Sequence, residues 1–310
     1  MKDTHVIPFP AADETINFNL RQGPAGLARA LAVVKSKGSL SQKQAAVKAA
    51  KVLLPLVTEG VCIEVRVALD TTGSMIEDLP HICAALPPLL TSLTNQAVKV
   101  NLRIGLLTFK DLSIGEAMTA YPSLMTPDEF AAALAGLSGG GGGGHDMETS
   151  LEAVMALLGD QRVLSQSRWF TNSARPPALL PLTQLSRRVL LLITDERAWE
   201  AQAQDRPETG WEPSLTRAQV RWRLTQLRFL VGLAVEKSLP HHREFWKELL
   251  TQGDIMVDIR GDLLGLKALF QTVIPRTVEE VTEEVVTEAT QLLLPPPSRS
   301  TGPGPIVINL

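Results

Sequence analysis

Residues 61–70 of the chain read VCIEVRVALD, and TTGS follows at 71–74. Residues 61–69 are rich in β-branched and apolar side chains and end at a carboxylate and a glycine-containing loop, which predicts a buried core strand. Residues 76–94 then place apolar side chains at near-helical spacing, although Pro87 and Pro88 should bend or interrupt that helix. The first unit of the fold is therefore predicted to be strand, loop and helix.

The same alternation of strands and helices continues along the chain. Residues 189–194, VLLLIT, form the most hydrophobic run, and this run also ends at an aspartate, Asp195. Continuous apolar strands are typical of parallel sheets buried on both faces. Further strands are predicted over 98–109, 117–124, 227–235 and 255–259, with helices after Thr126 and over 147–158, 242–250 and 263–272. The predicted fold class is α/β, a doubly wound, mostly parallel sheet with helices on both faces.

The pattern also predicts how the chain is divided. The sheet domain is expected to cover residues 60–275. Residues 1–58 are interpreted as an N-terminal helical extension, because apolar side chains recur at helical spacing over 24–58. Residues 276–294 predict an acidic helix, and 295–310 predict a Pro- and Gly-rich linker that ends in an apolar tail.

Composition restricts the classes of function. The 310 residues are 45% hydrophobic and 20% charged, with a net charge of -3 and a pI near 6.0. This balance makes a nucleic-acid partner unlikely, because such binders carry a basic excess. No stretch reaches the roughly 18 unbroken apolar residues of a membrane span, and the first residues lack the apolar core of a signal peptide. We therefore expect a cytoplasmic protein with no membrane partner.

Oxygen-bearing side chains follow the predicted strand ends, where ligands bind in open α/β sheets. They are Asp70, Thr72 and Ser74 after the first strand, Asp146 after the glycine run and Asp195 after the most apolar strand. Alternate residues of an extended loop point to the same side, so the first three surround one point. Hard divalent cations such as Mg²⁺, Mn²⁺ or Ca²⁺ prefer such ligands. The sequence therefore predicts a metal site.

The sequence DTTGSM at 70–75 resembles the metal-ion-dependent adhesion site of von Willebrand factor A domains. The resemblance covers about residues 60–275 and implies a bound magnesium, manganese or calcium ion. It implies that Thr72 and Ser74 coordinate the metal directly and that Asp70 does so directly or through water. Asp195 matches the distal aspartate of the family.

The middle ligand of the family lies after a Gly-rich loop, and here six glycines occupy 139–144. Asp146 is assigned to this role, with His145 and Thr149 as alternatives. Three carboxylates around one divalent cation should hold it firmly and reduce the gain from an incoming acidic group. The glycines lack the following Lys of a phosphate-binding loop, so we interpret them as a flexible gate beside the metal.

The resemblance implies a non-enzymatic, metal-dependent protein-protein interaction module in an intracellular multiprotein assembly. An AAA+ ATPase or another component of such an assembly is the implied partner. Two alternatives stay open: a metal-dependent phosphohydrolase and a self-assembling structural subunit. No general base or arginine clamp recurs near the strand ends, which disfavours the enzyme.

Several apolar and aromatic residues are candidate contacts for a partner. Insertions at 161–187 and 196–223 carry four tryptophans, Trp169, Trp199, Trp211 and Trp222, of which Trp199 and Trp211 are the predicted partner-binding residues. The alternative is that these tryptophans pin long loops to the domain. The tail residues Ile306, Val307 and Ile308 are predicted to add to a sheet edge, with a frayed tail as the alternative. The pair His241 and His242 is interpreted as solvated.

Overall fold

The computed structural model describes residues 6–10, 15–19, 22–95, 98–141, 147–171, 173–201, 211–235, 240–251, 254–259 and 278–292. The chain divides into two compact units. The smaller unit comprises residues 1–59 and 283–310, and the larger unit comprises residues 60–282.

The smaller unit begins with two strands and two helices. They are β1 (Val6–Pro10), β2 (Thr15–Asn19), α1 (Gly23–Lys37) and α2 (Leu40–Thr58). The two strands pair antiparallel, and this pairing precedes the helical pattern that the sequence predicted over 24–58. Both helices lie where the apolar spacing predicted them. A capping box starts α2, because Gln42 N donates to Ser39 Oγ at 3.2 Å and Ser39 N donates to Gln42 Oε1 at 2.7 Å.

A sheet of six strands forms the centre of the larger unit. The strands of this unit are β3 (Val61–Asp70), β4 (Val100–Phe109), β5 (Thr119–Ala120), β6 (Met147–Glu148), β7 (Ser186–Ile193), β8 (Arg197–Ala198), β9 (Phe229–Val235) and β10 (Ile255–Asp258). The spatial order in the main sheet is β10, β9, β7, β3, β4, β5, and β6 pairs separately with β8. Only the β4–β5 pairing in the main sheet is antiparallel. The predicted α/β class is confirmed.

Helices connect these strands and surround the sheet. They are α3 (Leu79–Thr91), α4 (Pro127–Ala135), α5 (Ser150–Leu157), α6 (Gln161–Leu164), α7 (Arg217–Gln226) and α8 (Pro240–Lys247). A further helix occupies residues 278–292, inside the range predicted as an acidic helix. Among the helices in the described ranges, none is long and apolar enough to cross a lipid bilayer.

The sheet order creates a crevice beside β3. This strand pairs with β4 on one side and with β7 on the other. The chain runs outward from β3 to β4 but in the opposite direction from β7 to β9, so the loops after β3 and β7 diverge. Such a switch point is where open α/β sheets bind ligands. Because Leu69 pairs with Ile193, Asp70 and Thr194 emerge side by side.

Two local predictions in the larger unit differ from the structure. Helix α3 continues through Pro87 and Pro88, which were expected to bend or interrupt it. Leu86 and Leu90 are fully buried around the two prolines, so packing holds this segment helical despite the missing N–H donors. The strand predicted over 117–124 is reduced to the two residues of β5. The helix predicted over 263–272 lies outside the described residues.

A buried cluster of charges fixes the long insertion before β7 to the sheet. Glu64 accepts hydrogen bonds from the guanidinium of Arg66 and from Arg188 Nε, the latter at 3.3 Å. Arg66 also donates to the carbonyls of Pro177 and Ala178, both at 2.8 Å. These residues are at most 8% exposed. The cluster lies on the strands and holds the insertion, so we assign it a structural role.

Candidate metal centre

Asp70 is the hydrogen-bonded centre of the crevice between β3 and β7. Its Oδ1 accepts from Thr72 N at 2.9 Å and from Thr72 Oγ1 at 2.6 Å. Its Oδ2 accepts from Thr194 Oγ1 at 2.7 Å, which ties the end of β3 to the end of β7. Asp70 is fully buried, so both carboxylate oxygens are held in fixed directions.

A continuous path of side-chain oxygens crosses the crevice from Asp70. The hydroxyls of Thr72 and Ser74 lie 3.1 Å apart. Ser74 Oγ donates to Asp195 Oδ1, also at 3.1 Å. Asp195 and Thr72 are buried, whereas Ser74 is exposed. The structure thus brings four of the predicted site residues together, and the set opens to solvent at Ser74.

The site concentrates negative charge. Burial, with repulsion from Asp195, raises the pKa of Asp70 to about 7, although hydrogen bonds from Thr72 and Thr194 oppose the shift. Burial raises the pKa of Glu148 to about 10, and repulsion from Asp70, Asp111, Asp195 and Glu196 adds to it. Glu148 Oε2 is buried and accepts no hydrogen bond from the described residues. A cation would relieve this repulsion, and its ligands would be hard oxygens, as Mg²⁺, Mn²⁺ and Ca²⁺ prefer.

Thr149 is the middle-ligand candidate within the described residues, because His145 and Asp146 lie outside them. Thr149 is fully buried, and its Oγ1 donates to the carbonyl of Lys110. Lys110 directly follows β4, whose last residue, Phe109, pairs with Asp70. Thr149 therefore lies at the same edge of the sheet as the DTTGS loop.

Two further acidic residues near Asp70 and Asp195, Asp111 and Glu148, were not predicted from the sequence. Asp111 is 1% exposed and accepts from Ser113 N at 2.8 Å and from Ser113 Oγ at 2.5 Å. This repeats after β4 the bonding that Asp70 makes with Thr72 after β3. The spacing Asp-x-Ser, which begins two residues after the strand predicted at 98–109, could have indicated Asp111. Glu148 had no such signal, because its approach to Asp70 depends on the tertiary fold.

The first glycines of the run pack against the DTTGS loop. Gly73 N donates to the Gly141 carbonyl at 2.6 Å, and Gly140 N donates to the Thr71 carbonyl at 3.1 Å. A Cβ on Gly73 would lie 2.5 Å from the Gly141 oxygen, so the approach requires glycine. A flexible gate was predicted for this run, and two of its residues, Gly140 and Gly141, are hydrogen-bonded to the loop. Residues 142–144 lie outside the described ranges.

Helix α8 supports the backbone behind Asp195. His242 Nδ1 lies 2.9 Å from the Asp195 carbonyl oxygen, which can only accept, so Nδ1 carries the proton. Trp246 Nε1 donates to the Glu196 carbonyl at 3.0 Å. His242 is 1% exposed, so its interpretation as a solvated residue is wrong. The carboxylate of Glu196 lies 3.5 Å from His242 Nε2.

A cleft of about 430 Å³ adjoins the site at Thr71. Hydroxyl groups dominate its wall, and Lys110 and Glu116 face each other across 4.0 Å. The hydroxyl-bearing lining residues are Thr71, Thr108, Thr119, Tyr121, Ser138 and Thr171. The cleft therefore offers hydroxyl groups for hydrogen bonds beside the start of the DTTGS loop.

The predicted partner-binding tryptophans are buried. Trp199 is 1% exposed and Trp211 is 6% exposed, and their rings pack edge to face with centroids 6.5 Å apart. Trp169 packs on Trp211 in the same way at 6.4 Å. The alternative holds for these three residues: they pin the insertions to the domain. Trp222 is 62% exposed, and the tail residues Ile306, Val307 and Ile308 lie outside the described residues.

No family profile matches the chain, and a comparison with curated proteins found no match. In the described ranges, no group of three or more His, Cys, Asp or Glu side chains is arranged to hold a metal. The oxygen path described above has two carboxylates, those of Asp70 and Asp195, and its other members are hydroxyls.

Proposed function

We propose that the larger unit binds a divalent cation, Mg²⁺ or alternatively Mn²⁺ or Ca²⁺, at Asp70, Thr72, Ser74 and Asp195. The observation that carries the proposal is the unbroken path of oxygens from Asp70 to Asp195, open to solvent at Ser74. The bound ion would supply positive charge and an open coordination position. The resemblance to von Willebrand factor A domains supports its use in holding a partner protein.

In this proposal, the side chains of the site have different roles toward the ion. Asp70 and Asp195 neutralise the ion, and burial of both keeps their oxygens in place. Ser74 lies at the exposed rim, where a partner carboxylate would enter. If Thr149 is the middle ligand, two carboxylates balance the charge of the divalent ion. A partner carboxylate is then attracted to the ion more strongly than it would be if Asp146 supplied a third carboxylate. The identity of this ligand therefore decides how strongly binding depends on an acidic partner.

We extend the proposal to the setting that the resemblance implies: an adaptor in a cytoplasmic multiprotein assembly, with an AAA+ ATPase or another assembly component as the partner. The chain itself is proposed to be non-enzymatic. An assay of phosphate-ester hydrolysis with magnesium and manganese tests the phosphohydrolase alternative, for which activity lost in Asp70→Asn would be required.

Partner capture tests the proposed function. The full chain, Asp70→Asn and Asp128→Asn are immobilised and exposed to native lysate with magnesium or with chelator. Asp128 is exposed in the first turn of α4, so its substitution is the matched control. We expect a set of proteins retained by wild type and Asp128→Asn in magnesium and lost with chelator or with Asp70→Asn. Retention of the same proteins under every condition would contradict the proposal.

A further inference from the structure

Helix α2 carries two apolar stripes on different faces. The first is buried and comprises Ala46, Ala49, Leu53 and Leu56. The second is exposed and comprises Leu40, Val47 and Leu54, which are 74%, 57% and 47% exposed. These three residues recur at every seventh position, so they form one line along the helix. Solvent exposure of such a line is a feature of surfaces that receive another helix.

Helix α1 and two residues of this second stripe, Val47 and Leu54, line a groove. Leu31 and Val34 of α1 face Val47 and Leu54 of α2 across a groove of about 560 Å³. Its floor is apolar along its whole length. We call it the lysine-rimmed groove, because Lys35, Lys43 and Lys51 also line it. An apolar groove between two helices can receive the apolar face of a third helix.

The three lysines determine which helix fits. Among the described residues, no ion pair is formed by Lys35, Lys43 or Lys51. A second copy of the chain placed face to face on the groove would bring like charges together, which costs energy. An acidic segment would instead gain attraction from each ammonium group.

The acidic helix at 278–292 already buries its own apolar side chains within the protein. Within residues 278–292 the apolar side chains Val281, Val285 and Ala289 are buried, with at most 1% of their surface exposed. This helix therefore has no free apolar stripe to place in a neighbouring groove. The acidic helix at 278–292 is therefore not the occupant of the groove.

We propose that the lysine-rimmed groove binds an acidic amphipathic helix of a partner protein. Leucine-type side chains of that helix, spaced at i, i+3 or i+4, and i+7, contact Leu31, Val47 and Leu54. Its carboxylates pair with Lys35, Lys43 and Lys51. This site lies in the smaller unit and requires no metal, so it is independent of the proposed metal centre.

Fluorescence anisotropy on the full chain tests this proposal in the presence of chelator. The probe is a synthetic 18-residue amphipathic peptide with leucines on one face and glutamates beside them, and a second peptide has lysines in place of the glutamates. We expect the glutamate peptide to bind and the lysine peptide to bind at least about tenfold more weakly. Binding should also weaken with added salt. Absence of glutamate-peptide binding, or equal binding of both peptides, overturns the proposal.

Variants on α2 locate the binding surface. Val47→Asp and the double variant Lys43→Glu, Lys51→Glu should each lower affinity for the glutamate peptide by about tenfold or more. Lys48→Glu is the matched control, because Lys48 is exposed on the same helix outside the groove, and it should have little effect. Equal losses in Lys48→Glu and the double variant would contradict the assignment. Circular dichroism checks that every variant folds.

Two other occupants would overturn the proposal if the measurements find them. A wild-type dimer that Val47→Asp converts to monomer in sedimentation would assign the groove to a second copy of the chain. Peptide binding that appears only after removal of residues 301–310 would assign it to the apolar tail. We expect Val47→Asp to leave the sedimentation behaviour unchanged and the tail deletion to leave peptide affinity unchanged.

Discussion

Ser74 Oγ donates a hydrogen bond to Asp195 Oδ1 at 3.1 Å, although 121 residues separate them in the chain. The contact exists because β3 and β7 are parallel neighbours whose carboxyl ends are aligned by the pairing of Leu69 with Ile193. It closes the path of oxygens that begins at Asp70. The proposed metal centre therefore depends on the register of two central strands, which the apolar core fixes.

The middle ligand can be identified by comparing two positions. If Thr149 is the ligand, Thr149→Val should lower magnesium affinity by roughly 10- to 100-fold, because it removes a hydroxyl and keeps the shape. Thr149→Ser should retain most of the affinity. Asp146→Asn should then have little effect. Isothermal titration calorimetry measures all three variants, and a large loss confined to Asp146→Asn would assign the role to Asp146.

Contact between the glycine run and the DTTGS loop should be sensitive to one added methyl group. Gly73→Ala places a Cβ against the Gly141 carbonyl and should lower the free energy of unfolding by about 1–3 kcal/mol. It should also weaken metal binding, because the loop must shift. Gly136→Ala is the control, since its nearest neighbour is 3.7 Å away and the effect should be small. Chemical denaturation measures the free energy of unfolding of both variants. Equal losses in Gly73→Ala and Gly136→Ala would contradict a steric clash at Gly73.

His242 is expected to position Asp195 through the backbone. His242→Leu removes the donor to the Asp195 carbonyl and should lower magnesium affinity by about tenfold. His242→Asn keeps a donor near the position of Nδ1 and should restore much of that loss. Calorimetry on the two variants, with thermal unfolding measured in parallel, separates positioning from general destabilisation. Similar metal affinities for Leu and Asn variants would contradict a positioning role.

Metal binding should depend on pH through Asp70. Its pKa of about 7 in the folded state lies above that of an unfolded aspartate, near 4. Between about pH 4 and pH 7 the metal-free folded protein therefore keeps a proton on Asp70 that the unfolded chain has released. The contribution of Asp70 to the free energy of unfolding falls as the pH rises through this range. Binding requires the carboxylate, so affinity should rise about tenfold per pH unit up to about pH 7.

Thermal unfolding with and without magnesium measures how metal binding depends on the protonation of Asp70. The increase in Tm caused by magnesium should be larger at pH 8 than at pH 5, because the metal competes with a proton on Asp70 at the lower pH. Asp70→Asn should abolish both the magnesium effect and its pH dependence. An equal magnesium shift at the two pH values would contradict the linkage.

The sequence predicted the central strands well, because their apolar runs are long and end at turn-forming residues. Residues 61–69 and 189–194 were placed correctly, and their aspartate ends pointed to the edge of the sheet that holds the site. The pairing of residues 6–10 with 15–19 was missed, because two segments of five residues, the first with two prolines, are too short to carry a clear period. Helix α3 was expected to bend or to be interrupted at its prolines; it is not interrupted there, and the neighbouring Leu86 and Leu90 are buried.

The site residues were predictable only where a short run of sequence or the end of an apolar strand indicated them. Asp70, Thr72 and Ser74 lie within five residues, and Asp195 follows a conspicuous strand. Glu148 and His242 reach the site through tertiary packing, so spacing along the chain held no information about them. The burial of Trp199 and Trp211 could not be predicted either, because the sequence of a long insertion does not indicate whether its aromatic residues face the core or the solvent.

Direct titration of Mn²⁺ into the metal-free full chain tests the central claim most directly. Wild type and the Asp128→Asn control should bind one ion with the same affinity, and Asp70→Asn and Asp195→Asn should each bind it at least about 100-fold more weakly. No binding by wild type, or binding by Asp70→Asn and Asp195→Asn that equals wild type, would contradict a metal centre between β3 and β7.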